Sequence, residues 1–452
     1  MNVKKYDYVI VGGGIAGLAS AELLSRSGHS VLLLEKRPKL CQEASASHHG
    51  WFHFGSLYSI FPDNQTLRTL VGGIEDTIEN YSAFENMNIK INEQGKLCFP
   101  DNGSSWIRDE PLEYIVSARN NADFNMFTFD GLKNYLTKIF FLFTWEIAIK
   151  QFISRHQRFL KHNWLGSTLA SKWIPKAGIG DYSKEIIEKP AYKDIDLEND
   201  THFKIKGYDR PMRSTIIVSD LVRSFLGSGG EIQLDQQVMS IGGTLGEKFV
   251  VTKSGQRFET SLVIVAAGKW LGEFEDADEV KVVASPLLVT YPAVTSHHIV
   301  RMTPFMEKSI NHIHHTINGY TYSVIGGGDY ADPNNLDDVN RIIENLKSKA
   351  RDVFPKFNTA KVSTHYLGFK TELTTKFKER NYQYIIRDHG VGEITIVPGK
   401  FTLAFSLASS LYNHLHGTQP SKTVKMASYD DAAAYVGVSH HGRLVLEKLD
   451  LN

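Results

Sequence analysis

Hydrophobic and polar positions in the first 37 residues follow the order strand, turn, helix and strand. An apolar run at 8–11 predicts a buried parallel strand, and it leads directly into three glycines at 12–14. Apolar residues over 15–24 recur with the spacing of one packed helix face. A second apolar strand follows over 30–34. This stretch therefore predicts a βαβ unit.

The glycines of this unit are placed to bind a dinucleotide. Gly12, Gly14 and Gly17 fit the pattern G-x-G-x-x-G between a strand and a helix. The first permits a tight turn, the second lets a pyrophosphate approach the backbone, and the third lets helix and strand pack closely. Glu35 ends the second strand, where an acidic residue accepts the ribose hydroxyls of adenosine. A dinucleotide cofactor is expected here, and a Gly-rich turn in an ordinary βαβ unit is the alternative.

Downstream patterns change from a meander to an alternating sheet. Short strands over 231–260 lead to a separate apolar strand at 261–267, which ends at Gly268. Alternation over 286–326 predicts an antiparallel sheet with a hairpin at Asn318-Gly319. Helices are expected over 76–86, 220–226, 336–353 and 403–415.

These patterns predict an α/β fold, α+β overall, with two domains. The first is a discontinuous Rossmann-type domain with a β-meander, made of residues 1–85, 208–285 and 380–452. The second is an antiparallel-sheet substrate domain, made of residues 86–207 and 286–379, in which 130–207 is a helical insertion. Two interpretations stay open for the aromatic stripe over 130–173. It is either part of the core or a packed helical insertion, or it is a pair of helices that docks on a membrane surface or a protein partner.

Composition and charge narrow the classes of partner. Of 452 residues, 42% are hydrophobic and 22% are charged, as in globular proteins with a sizeable core. Basic and acidic residues both total 50, so the net charge gives no reason to expect nucleic acid as a partner. No apolar run reaches the ~18 residues of a membrane span, and Cys41 and Cys98 imply no disulfide framework. A cytoplasmic protein with a small-molecule substrate is expected.

Five stretches in one order resemble the D-amino-acid-oxidase-like superfamily of FAD-dependent oxidoreductases. They are GGGIAGL with Glu35, the loop SASHHGWFHFG, the strand VIVAAGKW, the strand end GFKTEL and the terminal PGKFTLAFSLA. The resemblance covers nearly the whole chain, with 130–207 its least typical part. The loop is most similar to the glycerol-3-phosphate and L-2-hydroxyglutarate dehydrogenase branches.

The resemblance implies FAD contacts in several segments. The ADP half would lie on Gly12, Gly14, Ile15, Ala16, Gly17, Glu35 and Lys36. The loop beneath the isoalloxazine would contribute Ser45, Ser47, His48, His49 and Gly50. Val238 would lie by the adenine, Ala267 and Gly268 by the pyrophosphate, and Gly399, Lys400, Phe401 and Thr402 by the pyrimidine end. Covalent attachment through His48 or His49 stays open, with non-covalent FAD as the expectation.

Four residues are candidates for contact with the substrate. His312 and His314 share one face of a predicted strand, in a sheet that covers the flavin in the family, and His53 competes for the same role. Histidine suits transfer of a hydroxyl proton while a hydride leaves carbon, and sheet-surface histidines are the alternative. Lys370 stands where relatives often carry an arginine for a carboxylate or phosphate, which favours an anionic substrate. No metal site is expected, because no Cys, Asp or Glu accompanies the clustered histidines at ligand spacing.

The expected reaction is hydride transfer from a small anionic 2-hydroxy acid or polyol phosphate to flavin N5. An amine or amino-acid oxidase of the same superfamily is the first alternative. The second is a flavin-binding scaffold without turnover, for which 130–173 would be the docking surface.

Overall fold

Two large sheets carry the fold in this computed structural model. The structure describes residues 4–60, 65–93, 95, 97–117, 185–186, 192–197, 202–274, 280–302, 309–374, 380–381 and 383–450. The aromatic stripe at 130–173, with its predicted docking role, lies outside the described residues. Among the described helices, none has the length and apolar character needed to cross a membrane.

The strands, in chain order, are β1 Lys5–Val11, β2 Val31–Leu34, β3 Trp51–Phe52, β4 Lys90–Ile91, β5 Leu97–Cys98, β6 Glu113–Ser117, β7 Glu185–Ile186, β8 His202–Lys206, β9 Arg210–Pro211, β10 Glu231–Gln233, β11 Val238–Thr244, β12 Glu247–Thr252, β13 Arg257–Val265, β14 Val280–Tyr291, β15 Ile299–Met302, β16 Ile310–Ile317, β17 Tyr320–Gly326, β18 Val362–Thr374, β19 Arg380–Asn381, β20 Ile385–Asp388 and β21 Glu393–Val397. The helices are α1 Ile15–Arg26, α2 Gln65–Tyr81, α3 Ser214–Gly227, α4 Leu336–Val353, α5 Ala404–His416, α6 Tyr429–Ala433 and α7 His440–Lys448.

The first sheet has a parallel centre in the order β10-β2-β1-β13-β21. Successive side chains of a strand point to opposite faces, and both faces are covered here. Ile10 and Leu33 pack in a core cluster that contains the helices, whereas Val9 and Leu32 pack on the other face with Val250 of the meander. The strands are therefore apolar throughout, as is typical of a parallel sheet buried on both faces.

The second sheet runs in the order β19-β18-β14-β17-β16-β15-β6-β8-β7. Most neighbours are antiparallel, and β15 and β6 run parallel. The helix predicted over 336–353 is confirmed as α4, and its apolar face packs through Ile342, Ile343 and Leu346. Parallel and antiparallel sheets with packed helices confirm the predicted α/β class.

Several elements differ from their predicted bounds, and α2, α3 and β13 show why. Helix α3 begins at Ser214, not at 220, because packing of Ile217 and Leu221 in the main core overrides the strand preference of the β-branched run 215–218. Strand β13 is continuous rather than two strands. Its first half pairs with the antiparallel β12, and its second half pairs with the parallel β21.

Helix α2 spans Gln65–Tyr81, although the prediction was 76–86. Gly72 and Gly73 weaken the helix signal in the sequence. Gly73 nevertheless has a packing role, since an added Cβ would lie 3.2 Å from Leu403 Cδ2. Close contact between α2 and the segment before α5 therefore decides the position of this helix.

Candidate active site

A cavity of about 530 Å³ extends from the carboxyl ends of β1, β2 and β13 to the second sheet. Such ends are where ligands bind in open α/β sheets, and the volume lies in the range of small-molecule sites. The predicted cofactor residues that line it are Gly12, Gly14, Ile15, Ala16, Glu35, Lys36, Ser45, His48, His49, Val238, Ala267, Gly268, Gly399, Lys400 and Phe401. Gly17, Ser47, Gly50 and Thr402 do not line it.

The glycine turn at one end requires residues without side chains. Gly12 has φ +107°, and an added Cβ would lie 2.5 Å from the carbonyl oxygen of Ala266. A Cβ on Gly17 would collide with the carbonyl oxygen of Gly12. Gly17 therefore lets α1 pack on the turn instead of contacting a ligand itself.

The turn also fixes an acidic acceptor. Glu35 accepts hydrogen bonds from the backbone N–H groups of Gly13, at 2.6 Å, and Arg37, at 2.9 Å. Burial raises the pKa of the Glu35 carboxyl, and these two bonds oppose that effect. The group lies where the ribose hydroxyls of adenosine would need an acceptor.

Helix α1 begins next to this turn with its N-terminus toward the cavity. Its N-cap, Gly14, has no side chain, and Ser45 Oγ accepts the N–H of Ile15 at 3.0 Å. The N-terminus of a helix favours negative charge, so this end of the cavity suits a pyrophosphate. The same bond holds the histidine-bearing loop against the glycine turn.

Buried polar atoms without a partner in the described structure identify the remainder of the cavity as a ligand site. The cavity-lining examples are His48 Nε2, His49 Nε2, Trp51 Nε1, His53 Nδ1, Trp270 Nε1 and Asn311 Oδ1. Buried polar groups are normally hydrogen-bonded, so these atoms are available to a bound molecule. Together with the glycine turn and Glu35, they fit FAD and a substrate.

The loop that carries His53 is held from two sides. Strand β3 pairs with β9, and the buried carboxylate of Asp209 accepts the N–H groups of Phe54 and Leu57. The His53 ring stacks on Trp51 with ring centroids 4.5 Å apart. Burial lowers the pKa of His53 well below 6.5, and the charge of Lys400 acts in the same direction. A neutral imidazole thus faces the cavity.

Two lysines supply positive charge to the same region. Lys370 Nζ donates to the hydroxyl of Tyr330 at 3.2 Å and lies 4.5 Å from the centroid of that ring. Lys400 Nζ lies 4.7 Å from the ring centroid of Tyr58. Both lysines line the cavity and depress the pKa of His49 and His53. The region therefore favours an anionic ligand.

His312 and His314, predicted as catalytic, do not line the cavity. His312 is fully buried, and its ring nitrogens bond to the carbonyl of His297 and the hydroxyl of Ser323, both at 2.7 Å. Burial lowers its pKa to about 3. Both bonds suit a neutral ring with a structural role.

His314 lies in a cluster that the sequence spacing did not show. Its Nε2 is 3.1 Å from the guanidinium of Arg108, which pairs with Glu110 at 2.7 Å, and His298 Nε2 bonds to Glu110 at 3.2 Å. The sequence places no acidic residue at ligand spacing beside these histidines, and the fold brings Glu110 to them from a distant segment. The three side chains with metal-ligand atoms are Glu110, His298 and His314. The guanidinium of Arg108 contacts this group, and the rings of His298 and His314 stack with their centroids 4.0 Å apart.

Sequence reasoning missed Asn311, Tyr58 and Tyr330, all of which line the cavity. The signal for Asn311 was the alternation of β16, since neighbouring residues of a strand face opposite ways. Tyr58 and Tyr330 had no motif to mark them. Their sequence positions gave no indication that lysines from other segments would lie on their rings.

The comparisons with known proteins agree with this geometry. The family model described as FAD dependent oxidoreductase matches residues 7–117 and 213–399. The mitochondrial L-2-hydroxyglutarate dehydrogenase of Caenorhabditis elegans is 32% identical over 99 residues, which is 22% of this chain and 22% of that protein. The digeranylgeranylglycerophospholipid reductase of Sulfolobus acidocaldarius is 35% identical over 81 residues, 17% of each chain. The matched segments thus cover about a fifth of these curated relatives.

Solved structures show similarity over nearly the whole length. L-alpha-glycerophosphate oxidase from Mycoplasma pneumoniae, with FAD bound, has a TM-score of 0.59 at 16% identity, covering 94% of this chain and 97% of that one. NikD, an amino acid oxidase of nikkomycin biosynthesis, has a TM-score of 0.61 at 12% identity, covering 94% and 98%. Similarity at these identities shows the fold.

Proposed function

We propose that this chain, which belongs to the DAO family of FAD-dependent oxidoreductases, oxidises a small anionic substrate at a carbon that carries a hydroxyl. The substrate class is a 2-hydroxy acid or a polyol phosphate. One observation carries the proposal: a neutral His53 and a cationic Lys370 line the same cavity, which begins at the glycine turn. A base and an anion-binding group are the two elements that this chemistry requires.

Each side chain has a defined part in the reaction. FAD, bound along Gly12, Glu35 and the loop of His48, supplies an acceptor for the hydride of the substrate. Lys370 binds the carboxylate or phosphate and orients the substrate. His53 Nδ1 takes the hydroxyl proton, since burial keeps the ring neutral and this nitrogen has no other partner in the described structure. The aromatic ring of Trp51 holds the imidazole in place.

Names of relatives support the same substrate class. The name L-2-hydroxyglutarate dehydrogenase indicates a hydroxy acid as substrate. The name L-alpha-glycerophosphate oxidase indicates a polyol phosphate. The solved structures also include enzymes that act on amino acids by their names, and these share the fold at 12% to 17% identity. The charge of Lys370, which a substrate ammonium would oppose, favours the hydroxyl over the amine.

Replacement of Lys370 tests the anion-binding part. Lys370→Met should raise KM by about 10- to 100-fold, because a hydrogen bond to a charged group contributes about 1.5–3 kcal/mol. Lys370→Arg should retain most of the affinity. Lys281→Met, at an exposed lysine of β14, is the control. Steady-state kinetics with the anionic substrate provide the measurement, and an unchanged KM in Lys370→Met would remove Lys370 from the proposal.

We also propose that FAD is bound without a covalent link. His48 Nδ1 accepts the N–H of Gly50 at 2.8 Å, and burial lowers the pKa of His48 to about 3. The proton of the neutral ring is therefore on Nε2, which has no lone pair available for attack.

Acid precipitation tests this form of binding. The flavin should be recovered in the supernatant, and the pellet should be colourless. A yellow pellet would contradict the proposal, and His48→Ala and His49→Ala, made separately, would then locate the bond.

A further inference from the structure

His49 and Asn311 bring two unpartnered polar atoms to one place in the cavity. Their atoms His49 Nε2 and Asn311 Oδ1 are buried, and neither has a hydrogen-bond partner in the described structure. Both residues line the cavity, one from the loop and the other from β16. Buried polar atoms without partners are costly, so the two atoms require a common ligand group.

Gly326, the last residue of β17, makes room for this arrangement. A Cβ on Gly326 would overlap the His49 Nε2 atom and would lie 2.8 Å from Asn311 Oδ1. Both atoms therefore converge on the space above this glycine, which pairs with Asn311 in the sheet. The backbone of Gly326 has no positive φ, so its lack of a side chain matters for space and not for conformation.

The loop backbone fixes His49 in this position. Its carbonyl is 2.8 Å from His315 Nε2, and the carbonyl of His48 accepts the Tyr366 hydroxyl at 3.1 Å. Burial lowers the pKa of His49 well below 6.5, and the charge of Lys370 contributes. His49 is therefore neutral, and Lys370 lines the same cavity.

We propose that His49 and Asn311 bind a second hydroxyl of the substrate, distinct from the one that is oxidised. A hydroxyl satisfies both atoms, because it donates to Asn311 Oδ1 and can accept from a second donor, the N–H of His49 when the proton is on Nε2. A carboxylate lacks the donor that Asn311 Oδ1 needs. The inference rests on the proposed function, in which His53 takes the reacting hydroxyl and Lys370 takes the anionic group. It narrows the substrate class to anionic compounds with at least two hydroxyls.

Matched ligand pairs test the inference on the full chain loaded with FAD. Glycerate and lactate differ in one hydroxyl, as do glycerol 3-phosphate and 2-hydroxypropyl phosphate. The rate of anaerobic flavin bleaching at low substrate concentration is measured for each compound. In the unmodified protein, the dihydroxy member of a pair should bleach the flavin about tenfold faster. This ratio corresponds to the free energy gained when one pair of buried polar groups is satisfied.

Two variants and one control complete the test. Asn311→Ala and Gly326→Ala should each reduce the preference to near unity, the first by removing the acceptor and the second by displacing the His49 ring. Asn334→Ala, at an exposed asparagine, should keep the preference.

The outcomes separate this inference from the function on which it rests. Bleaching by both members of a pair without a preference, or a preference that survives in both variants, overturns the second-hydroxyl site and leaves the oxidation intact; an ordered water between the two atoms would give this result. No bleaching by any hydroxy compound overturns the proposed function and the inference with it.

Discussion

Replacement of His53 with asparagine is expected to slow anaerobic bleaching of the flavin by about 10²- to 10⁴-fold, the usual contribution of a general base. Asparagine keeps a polar group of similar size but cannot take a proton. Because Asp209 and the β3–β9 pair hold the surrounding backbone, the variant should keep its FAD. The measurement is the limiting bleaching rate in stopped flow, with absorbance at the flavin band as the readout.

Dependence on pH gives an independent check of the same residue. Burial depresses the pKa of His53, so its neutral form persists as pH falls through the usual range of histidine. The bleaching rate should therefore stay level through pH 6.5 and decline only in more acidic buffer. His365→Asn, at an exposed histidine of β18, should behave as the unmodified protein. A rate in His53→Asn within threefold of that protein would contradict the assigned role.

Replacement of Gly12 with alanine should give the largest loss of bound cofactor. Alanine at φ +107° is strained by about 1–3 kcal/mol, and its Cβ would lie 2.5 Å from the carbonyl oxygen of Ala266. Overpacking of this kind adds about 1–3 kcal/mol. The expected result is a free energy of unfolding lowered by about 2–6 kcal/mol, and little flavin per chain after purification.

Gly28 offers a matched control for this variant. It also has a positive φ, +96°, but an added Cβ would meet nothing within 4 Å. Gly28→Ala should therefore lower the free energy of unfolding only by the backbone strain, and the variant should keep a full complement of FAD. Thermal unfolding and the ratio of flavin to protein absorbance distinguish the two cases. Equal flavin content in both variants would mean that the close approach at Gly12 is not needed for the cofactor.

Local sequence signals predicted those parts of the fold that depend on periodicity or turn geometry. Regular apolar spacing predicts the βαβ unit and α4. The spacing of the glycines predicts the tight turn, and the structure shows the positive φ and the close approach at Gly12 that require it. The start of α3 did not follow, because the run 215–218 favours a strand locally. Burial of Ile217 against other helices decides its conformation.

The chemistry of the site could be predicted only where one segment carries it. The loop of His48, His49 and His53 was recognised as a unit, and these residues share the cavity. On β16 the prediction selected His312 and His314, whereas Asn311 lines the cavity. Alternation along a strand gives two faces and does not indicate which one faces a cavity. Glu110 could not be paired with His314, because long-range contacts leave no trace in spacing.

Anaerobic bleaching of the FAD-bound enzyme by a panel of compounds distinguishes oxidation of a hydroxyl from oxidation of an amine. The panel contains 2-hydroxy acids, polyol phosphates and the amino acids that correspond to them in carbon skeleton. The proposed function predicts loss of the flavin band with at least one hydroxy acid or polyol phosphate, and a much slower change with its amino counterpart. Bleaching by the amino compounds alone would contradict it.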